Sequence, residues 1–381
     1  MSNSLASELL EPPPAEPEQS SAIKPFTIWK PSEFLKWVEP VGNHLILPAY
    51  LSKGSLTTLI GQGGLGKTRL ALWLAICQIL GRLWCGLQTA SEPIKWLFLG
   101  DENSIARWKE DLDKMLSTLK KDEIDQVEEF LRLPALVELE DSNVWLGDPS
   151  TCMKMTATIE KEEPRAIVID PFGNFAPGDI VKPGDMRDAI RVLFGILRGS
   201  APQAAWFSLH HARTGRQNIA QGVGWDAANF GLGGKALFSA ARCQMNLMPG
   251  AANDDTRLVF NCAKANNCPK FETRGLIFDP KTFTYSVDPE FDYEAWRADV
   301  EGRSRSGHSL CTVGDVVSAV QDGYNTTKAL SDHLVDACAT TKRTAERLIS
   351  KALKFEGIAK LKRGHYMLGR KSENHLKSGG V

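Results

Sequence analysis

Eight consecutive residues, Gly61-Gln62-Gly63-Gly64-Leu65-Gly66-Lys67-Thr68, constrain this chain more than any other stretch. They fit the pattern G-x-x-x-x-G-K-S/T, a phosphate-binding loop. The residues before it, Leu56 to Ile60, are short, apolar and β-branched and predict a buried strand. Those after it, Arg69 to Ile76, carry helical spacing. A strand, a glycine-rich turn and a helix in that order form the context in which the pattern holds phosphate. The glycines let backbone N–H groups point inward, and the helix start adds its positive end. Lys67 is placed to reach the β- and γ-phosphates of ATP, and the Thr68 hydroxyl to ligate Mg²⁺. Arg69 completes the predicted nucleotide-contacting set, Gly61 to Arg69.

The chain has 381 residues, enough for one large domain or two. A net charge of −1 means that any nucleic-acid surface has to be local. Eight cysteines are scattered with no C-x-x-C pair, which reads as reduced thiols in a cytosolic protein rather than a disulfide frame or zinc site. No apolar run reaches membrane-spanning length, so neither a signal peptide nor a membrane span is expected.

Residues 1–24 are rich in Pro, Glu and Ser and predict a disordered leader. A collar at residues 26–48, carrying Trp29 and Trp37, follows it and is expected to pack on the core and lead into the phosphate-loop strand. Strands and helices then alternate through residues 25–288. That predicts an α/β core with a mostly parallel central sheet, whose ligands collect at the carboxyl ends of the strands. Expected elements are strands at 94–99, 165–169 and 204–209 and helices at 104–119 and 185–197, with four further short strands between 243 and 287. Residues 289–308 read as a flexible linker. Three helical stretches and a hairpin follow within 309–370, the make-up of a winged helix, before a flexible tail at 371–381. From Glu301 onward the chain has 14 Lys/Arg against 8 Asp/Glu, so basic surface concentrates there.

Candidate site residues fall at predicted strand ends. Asp170 directly follows Ile167-Val168-Ile169, where the second half of a Mg²⁺ site is expected. Glu102 closes the strand at 94–99, expected beside the phosphate-loop strand, and can activate water; Asp101 is the rival for that role. His210 and His211 end the strand at 204–209 and can sense a γ-phosphate, but neighbours on a strand face opposite ways. Arg242 and Lys264 flank two later strands and are candidates for cations acting on a neighbour's nucleotide. Two long polar segments, 172–184 and 212–234, offer Lys182, Arg213 and Arg216 to a DNA backbone. In the carboxy-terminal module, Lys342, Arg343, Arg347, Lys362 and Arg363 place a basic helix beside a basic hairpin, suited to duplex DNA.

Taken in order, these motifs resemble the RecA-like ATPases related to the hexameric plasmid replication helicase, over about residues 25–287. The carrying stretches are the Gly61–Thr68 loop, Phe98 to Asn103, Ile167 to Phe172, Leu209-His210-His211, Gly234 to Gln244 and Ala263 to Asn267. The resemblance implies a hexameric ring with ATP and Mg²⁺ at subunit interfaces and single-stranded DNA in the core. By that likeness Glu102 is the catalytic acid, Asp170 the magnesium-site acid, His210 and His211 the sensors, and Arg242 the finger reaching the adjacent subunit. The chain departs from the family pattern with Asp101 before the catalytic acid and Cys243 after the finger arginine. The expected function is a ring-forming DNA motor, most simply a replicative helicase of a plasmid, phage or other mobile element. The alternative is a non-unwinding DNA ATPase, such as a helicase loader or a filament-forming regulator.

Overall fold

The computed structural model describes residues 26–135, 144–176, 178–179, 182–213, 219–232, 235–251, 254–307, 313–337, 342–354, 358–362 and 364–370. The leader, the tail, Arg216 and Arg363 lie outside the described residues.

The chain divides at Val41 into two units. The described part of the first holds one short helix, α1 (Pro31–Phe34), with Trp29 resting on Phe34 at 5.3 Å. Its apolar side chains, Phe26, Leu35 and Val38 among them, are exposed.

The second unit opens with β1 (His44–Ile46), β2 (Leu51–Ser52), β3 (Leu56–Gly61) and α2 (Lys67–Ile79). Next come β4 (Trp96–Gly100), α3 (Ile105–Leu116), α4 (Lys121–Phe130), β5 (Leu131–Arg132), α5 (Pro149–Glu162) and β6 (Ala166–Asp170). Then follow α6 (Phe172–Phe175), α7 (Pro183–Ser200), β7 (Ala205–His211), α8 (Lys235–Ala240), β8 (Cys243–Ala251) and β9 (Asp254–Ala265). β10 (Arg274–Phe278), β11 (Tyr285–Val287) and α9 (Tyr293–Gly307) end the alternating region.

Nine strands join in one sheet in the order β11-β10-β9-β8-β3-β7-β6-β4-β5. From β8 to β5 every pairing is parallel; β9, β10 and β11 add an antiparallel wing. The parallel strands are buried on both faces, as continuous apolar runs require. Alternation sorts their side chains: Leu59, Val168 and Phe207 enter the core under α2, while Ile60, Ile167, Ile169 and Trp206 enter the core under α7. Helix α2 is apolar nearly all round because it lies inside the first of these cores.

The strand that leads to Glu102 corrects one expectation. β4 does not lie beside β3; β7 and β6 stand between them. Helix α3 is shorter than predicted and is capped by Ser104, whose hydroxyl accepts the Arg107 N–H. The segment expected as a linker is α9 over 293–307. Trp296 and Val300 bury themselves in the α7-side core, and the Trp296 indole donates to the Pro249 carbonyl at 3.2 Å. The segment at 172–184 is no simple polar loop either, because Phe172 and Phe175 of α6 are buried.

Beyond α9, α10 (Val313–Gln321), α11 (Thr327–Ala337), α12 (Lys342–Lys354) and the antiparallel pair β12 (Ile358–Lys362) and β13 (His365–Leu368) surround a third apolar core of their own. Val316, Val317, Leu330, Leu334 and Ile349 fill it. Among the described residues no helix is long and apolar enough to cross a membrane.

Candidate nucleotide site

Parallel register brings the carboxyl ends of the central strands to one edge. Gly61 pairs with His211 on β7, and Gly100 on β4 pairs with Asp170 on β6. The backbone leaves no choice of residue at two of these points. Gly66 sits in the left-handed region at φ 77°, and a Cβ there would meet the Tyr285 hydroxyl at 2.6 Å. A Cβ on Gly100 would run into the Asp170 carbonyl.

A cleft of about 340 Å³ opens at this edge. Gly64, Gly66, Lys67, Thr68, Arg69, Glu102, Asp170 and His211 line it. Each is a residue that the sequence predicts for the site, and the fold gathers them from four strand ends. Gln62 contributes its carbonyl, which accepts from Lys67 Nζ at 3.0 Å; Gln62 and Leu65 themselves face an adjoining hollow.

Burial sets the electrostatics of the cleft. Lys67 is buried, and burial pulls its ammonium below the usual lysine range against the opposing charges of Asp170 and Glu102. Asp170 is 4% exposed. Burial pushes its carboxyl up from 3.8 to about 6, although it accepts the Thr68 hydroxyl at 2.5 Å and faces Lys67. A hydroxyl and a desolvated carboxylate side by side are hard oxygen donors short of positive charge, which fits a magnesium ion. Thr68 and Asp170 are the residues that would hold it.

Asp101 and Glu102 part company. Asp101 accepts from the Asn174 amide at 2.8 Å and does not line the cleft, whereas Glu102 does. The histidines also divide as strand alternation requires. His211 faces the cleft, and burial followed by Lys67 holds its ring below the usual histidine range. His210 is fully buried, and its Nε2–H donates to the Leu232 carbonyl at 2.8 Å. Its Nδ1 has no partner, and burial takes its pKa down to about 4, so the ring is neutral at neutral pH.

Arg242 and Lys264 do not join the cleft, and here the expectation that every motif lies at a carboxyl strand end fails. Arg242 precedes β8 and its N–H donates to the carbonyl of Leu56, the first residue of β3. The length of β3 therefore separates it from the phosphate loop, roughly 17–20 Å for six residues. Lys264 lies opposite Gln244 on antiparallel β9, so it shares Arg242's edge. Its Nζ donates to the Phe238 carbonyl at 2.7 Å. Arg242, Lys182, Arg213, Lys342, Arg343, Arg347 and Lys362 are all exposed.

Other residues at the site carried no readable signal. Asp111 on α3 is buried and takes both Arg69 (2.9 Å) and Arg107 (3.2 Å); burial raises its carboxyl and Arg69 opposes the rise. Arg69 also lies over the Phe283 ring at 4.0 Å. The Tyr285 hydroxyl donates to the Gly66 carbonyl at 3.2 Å, tying β11 to the phosphate loop. A helix acid looks solvated in sequence, and the Phe283–Tyr285 contacts join residues over two hundred positions apart.

No curated protein matches the chain. Among solved structures it is similar to the ATPase domain of G40P, with 12% identity over 61% of this chain and 85% of that one and a TM-score of 0.44. A KaiC-like protein from the hyperthermophilic archaeon Pyrococcus horikoshii OT3 matches with 13% identity over 66% and 96% and a TM-score of 0.42. The RadB recombinase matches with 12% identity over 62% and 92% and a TM-score of 0.41. The AAA_25 family model, described as an AAA domain, matches residues 19–217, more than half of the chain, and the protein belongs to that family.

Proposed function

We propose that the protein is an ATP-hydrolysing motor that acts on DNA, in the manner of a ring-forming replicative helicase carried by a plasmid, phage or other mobile element. The observation that carries this reading is the split arrangement of charge. Lys67, Thr68, Asp170, Glu102 and His211 meet at one edge of the sheet, while exposed Arg242 stands at the other. A chain built this way holds a nucleotide with its own cleft and offers a cation to the nucleotide of a neighbour.

In that reading the Gly61–Arg69 loop wraps the phosphates of ATP, and Lys67 neutralises the β- and γ-oxygens. Magnesium, when bound, supplies the positive charge that offsets the phosphates. Glu102, free in the cleft, accepts a proton from the attacking water, and Asp101 is withdrawn to Asn174. His211 donates toward the γ-phosphate, and Arg242 of an adjacent copy completes the charge of the transition state. Buried His210 carries the nucleotide state to the segment at 219–232 through Leu232.

Support for DNA comes from the exposed cations. Lys182 stands at the start of α7, on the segment that follows β6, and Arg213 on the segment that follows β7. The carboxy-terminal module, a winged helix by its three helices and hairpin, presents Lys342, Arg343, Arg347 and Lys362 to a duplex. The test is ATP turnover with and without single-stranded oligonucleotide, alongside displacement of a strand from a forked duplex. DNA-stimulated turnover with displacement is expected. Stimulation without displacement would make it a loader or regulator, and no response to any DNA would end the DNA reading.

A further inference from the structure

The sequence predicts a nucleotide role for Arg69, but for neither of the two α3 residues that share its half of the cleft. Arg107 and Asp111 stand one above the other on the face of α3 that lines it. Asp111 is 1% exposed. One of its oxygens, Oδ1, takes both guanidinium groups, Arg69 Nε at 2.9 Å and Arg107 Nε at 3.2 Å. Both arginines also lie over the ring of Phe283, at 4.0 and 5.7 Å. Phe283 sits at φ 55°, a left-handed backbone that an aromatic residue seldom adopts. A buried carboxylate and a ring thus fix two cations along one wall of the cleft.

That wall has positive charge to spare. Arg69, Arg107 and Lys114 share the carboxylates of Asp111 and Glu110. A plain ion pair joining α2 to α3 needs one arginine, not two. Arg69 spends its Nε on Asp111, and its terminal nitrogens hydrogen-bond nothing among the described residues. The wall is also distinct from the reacting end of the cleft. Lys67 feels the charges of Asp170 and Glu102, and His211 those of Lys67 and Glu102. Asp111 feels Arg69, Glu110 and Lys114 instead.

We propose that Arg107 binds the α-phosphate of the nucleotide held by its own chain, and that Asp111 is the positioning residue that turns Arg107 and Arg69 onto it. This rests on the reading of the cleft as a site for ATP. In that reading Lys67 and Thr68 take the β- and γ-phosphates. Arg69 is the next residue of α2, so the phosphate left for it and for Arg107 is the α-phosphate. A guanidinium fork held in place beforehand loses little freedom on binding an anion. A contact with a part of the substrate that does not react adds affinity without lowering the barrier.

The experiment measures binding of ADP and of a non-hydrolysable ATP analogue, and steady-state ATP turnover, on the full chain. Wild type is compared with Arg107→Ala, Arg107→Lys, Asp111→Asn and the double variant Arg107→Ala with Asp111→Asn, each checked for folding by its urea midpoint. Arg107 is half-buried, so the variants at that position carry the test if Asp111→Asn does not fold. Both nucleotides have an α-phosphate, so Arg107→Ala should weaken both by the same factor, on the order of 10-fold. KM should rise with it, kcat should change less, and Arg107→Lys should regain part of the loss. Asp111→Asn should weaken both nucleotides too, and by less where Arg107 is already Ala, because it acts through that side chain. Unchanged affinity in Arg107→Ala overturns the proposal and leaves the cluster a structural tie between α2 and α3. Loss confined to the ATP analogue, or a fall in kcat at constant KM, assigns Arg107 to the γ-phosphate and overturns it as well. Strict additivity of the two substitutions overturns the role of Asp111. A wild type that binds neither nucleotide overturns the reading of the cleft itself, and this inference with it.

Discussion

Replacing Asp170 by Asn should make the empty protein more stable while destroying its ability to hold Mg-ATP. The carboxyl titrates at about 6 in the folded chain against an ordinary 3.8, chiefly because it is buried. A raised folded pKa contributes stability that is complete below 3.8 and is lost as pH climbs through about 6. At pH 8 the native carboxylate therefore costs the free protein on the order of 3 kcal/mol. Asn removes the charge and keeps an oxygen that can accept the Thr68 hydroxyl. Urea unfolding followed by tryptophan fluorescence is a suitable assay, because all ten tryptophans precede residue 300 and none reports on the carboxy-terminal module. At pH 8 without nucleotide the variant should unfold at higher urea, by roughly 1–3 kcal/mol. At pH 5 about half of the gain should vanish, since folded wild-type Asp170 is then largely protonated while the unfolded carboxyl is still ionised. Saturating Mg-ATP should reverse the order, because only wild type gains stability from the ligand. A variant less stable than wild type at pH 8, or equally stabilised at pH 5, would refute the reasoning.

Lys67→Ala should abolish nucleotide binding in a fluorescent-nucleotide titration, because the phosphates lose their buried cation. Glu102→Gln should bind ATP normally yet turn over at least about 100-fold more slowly, whereas Asp101→Asn stays active; the reverse pattern would move the catalytic acid by one residue. Mixing Arg242→Ala with Lys67→Ala subunits should restore part of the turnover, and no rescue at any ratio in verified mixed assemblies argues against trans action. Lys342→Ala with Arg343→Ala in the full chain should weaken duplex binding and lower its salt slope by roughly one unit per lost phosphate contact; an unchanged slope would clear both residues. His210→Phe should remove the loss of stability that wild type suffers as pH falls from 6.5 toward 4, since a folded pKa lowered to about 4 makes protonation favour the unfolded chain.

How much of this was legible in the sequence differs by kind of information. The phosphate loop could be read because its glycines, lysine and threonine act within one turn of backbone. Asp170 could be read because an acid ending an apolar strand has few other uses after such a loop. Strand neighbours could not: nothing in residues 94–102 says that β7 and β6 intervene before β3. The polar run at 289–308 concealed a helix because Trp296 and Val300 find their partners in Pro249 and the α7-side core, far off in sequence. Gln244, Asn246 and Asn261 are strand residues whose amides look like interruptions until the carbonyls they serve are seen.

The length of β3 has a consequence for assembly. On the proposed action of Arg242 on a neighbour, donor and acceptor surfaces sit at opposite ends of one rigid strand, so a head-to-tail joint brings unlike surfaces of two copies together. Each contact leaves one unused surface at either end of the growing object. Such a heterologous joint has no stopping rule of its own. The angle between successive copies alone decides whether the chain of subunits meets itself or winds on without end. A few degrees at the Arg242 edge would then separate a closed ring from a filament, with every nucleotide site chemically identical in the two.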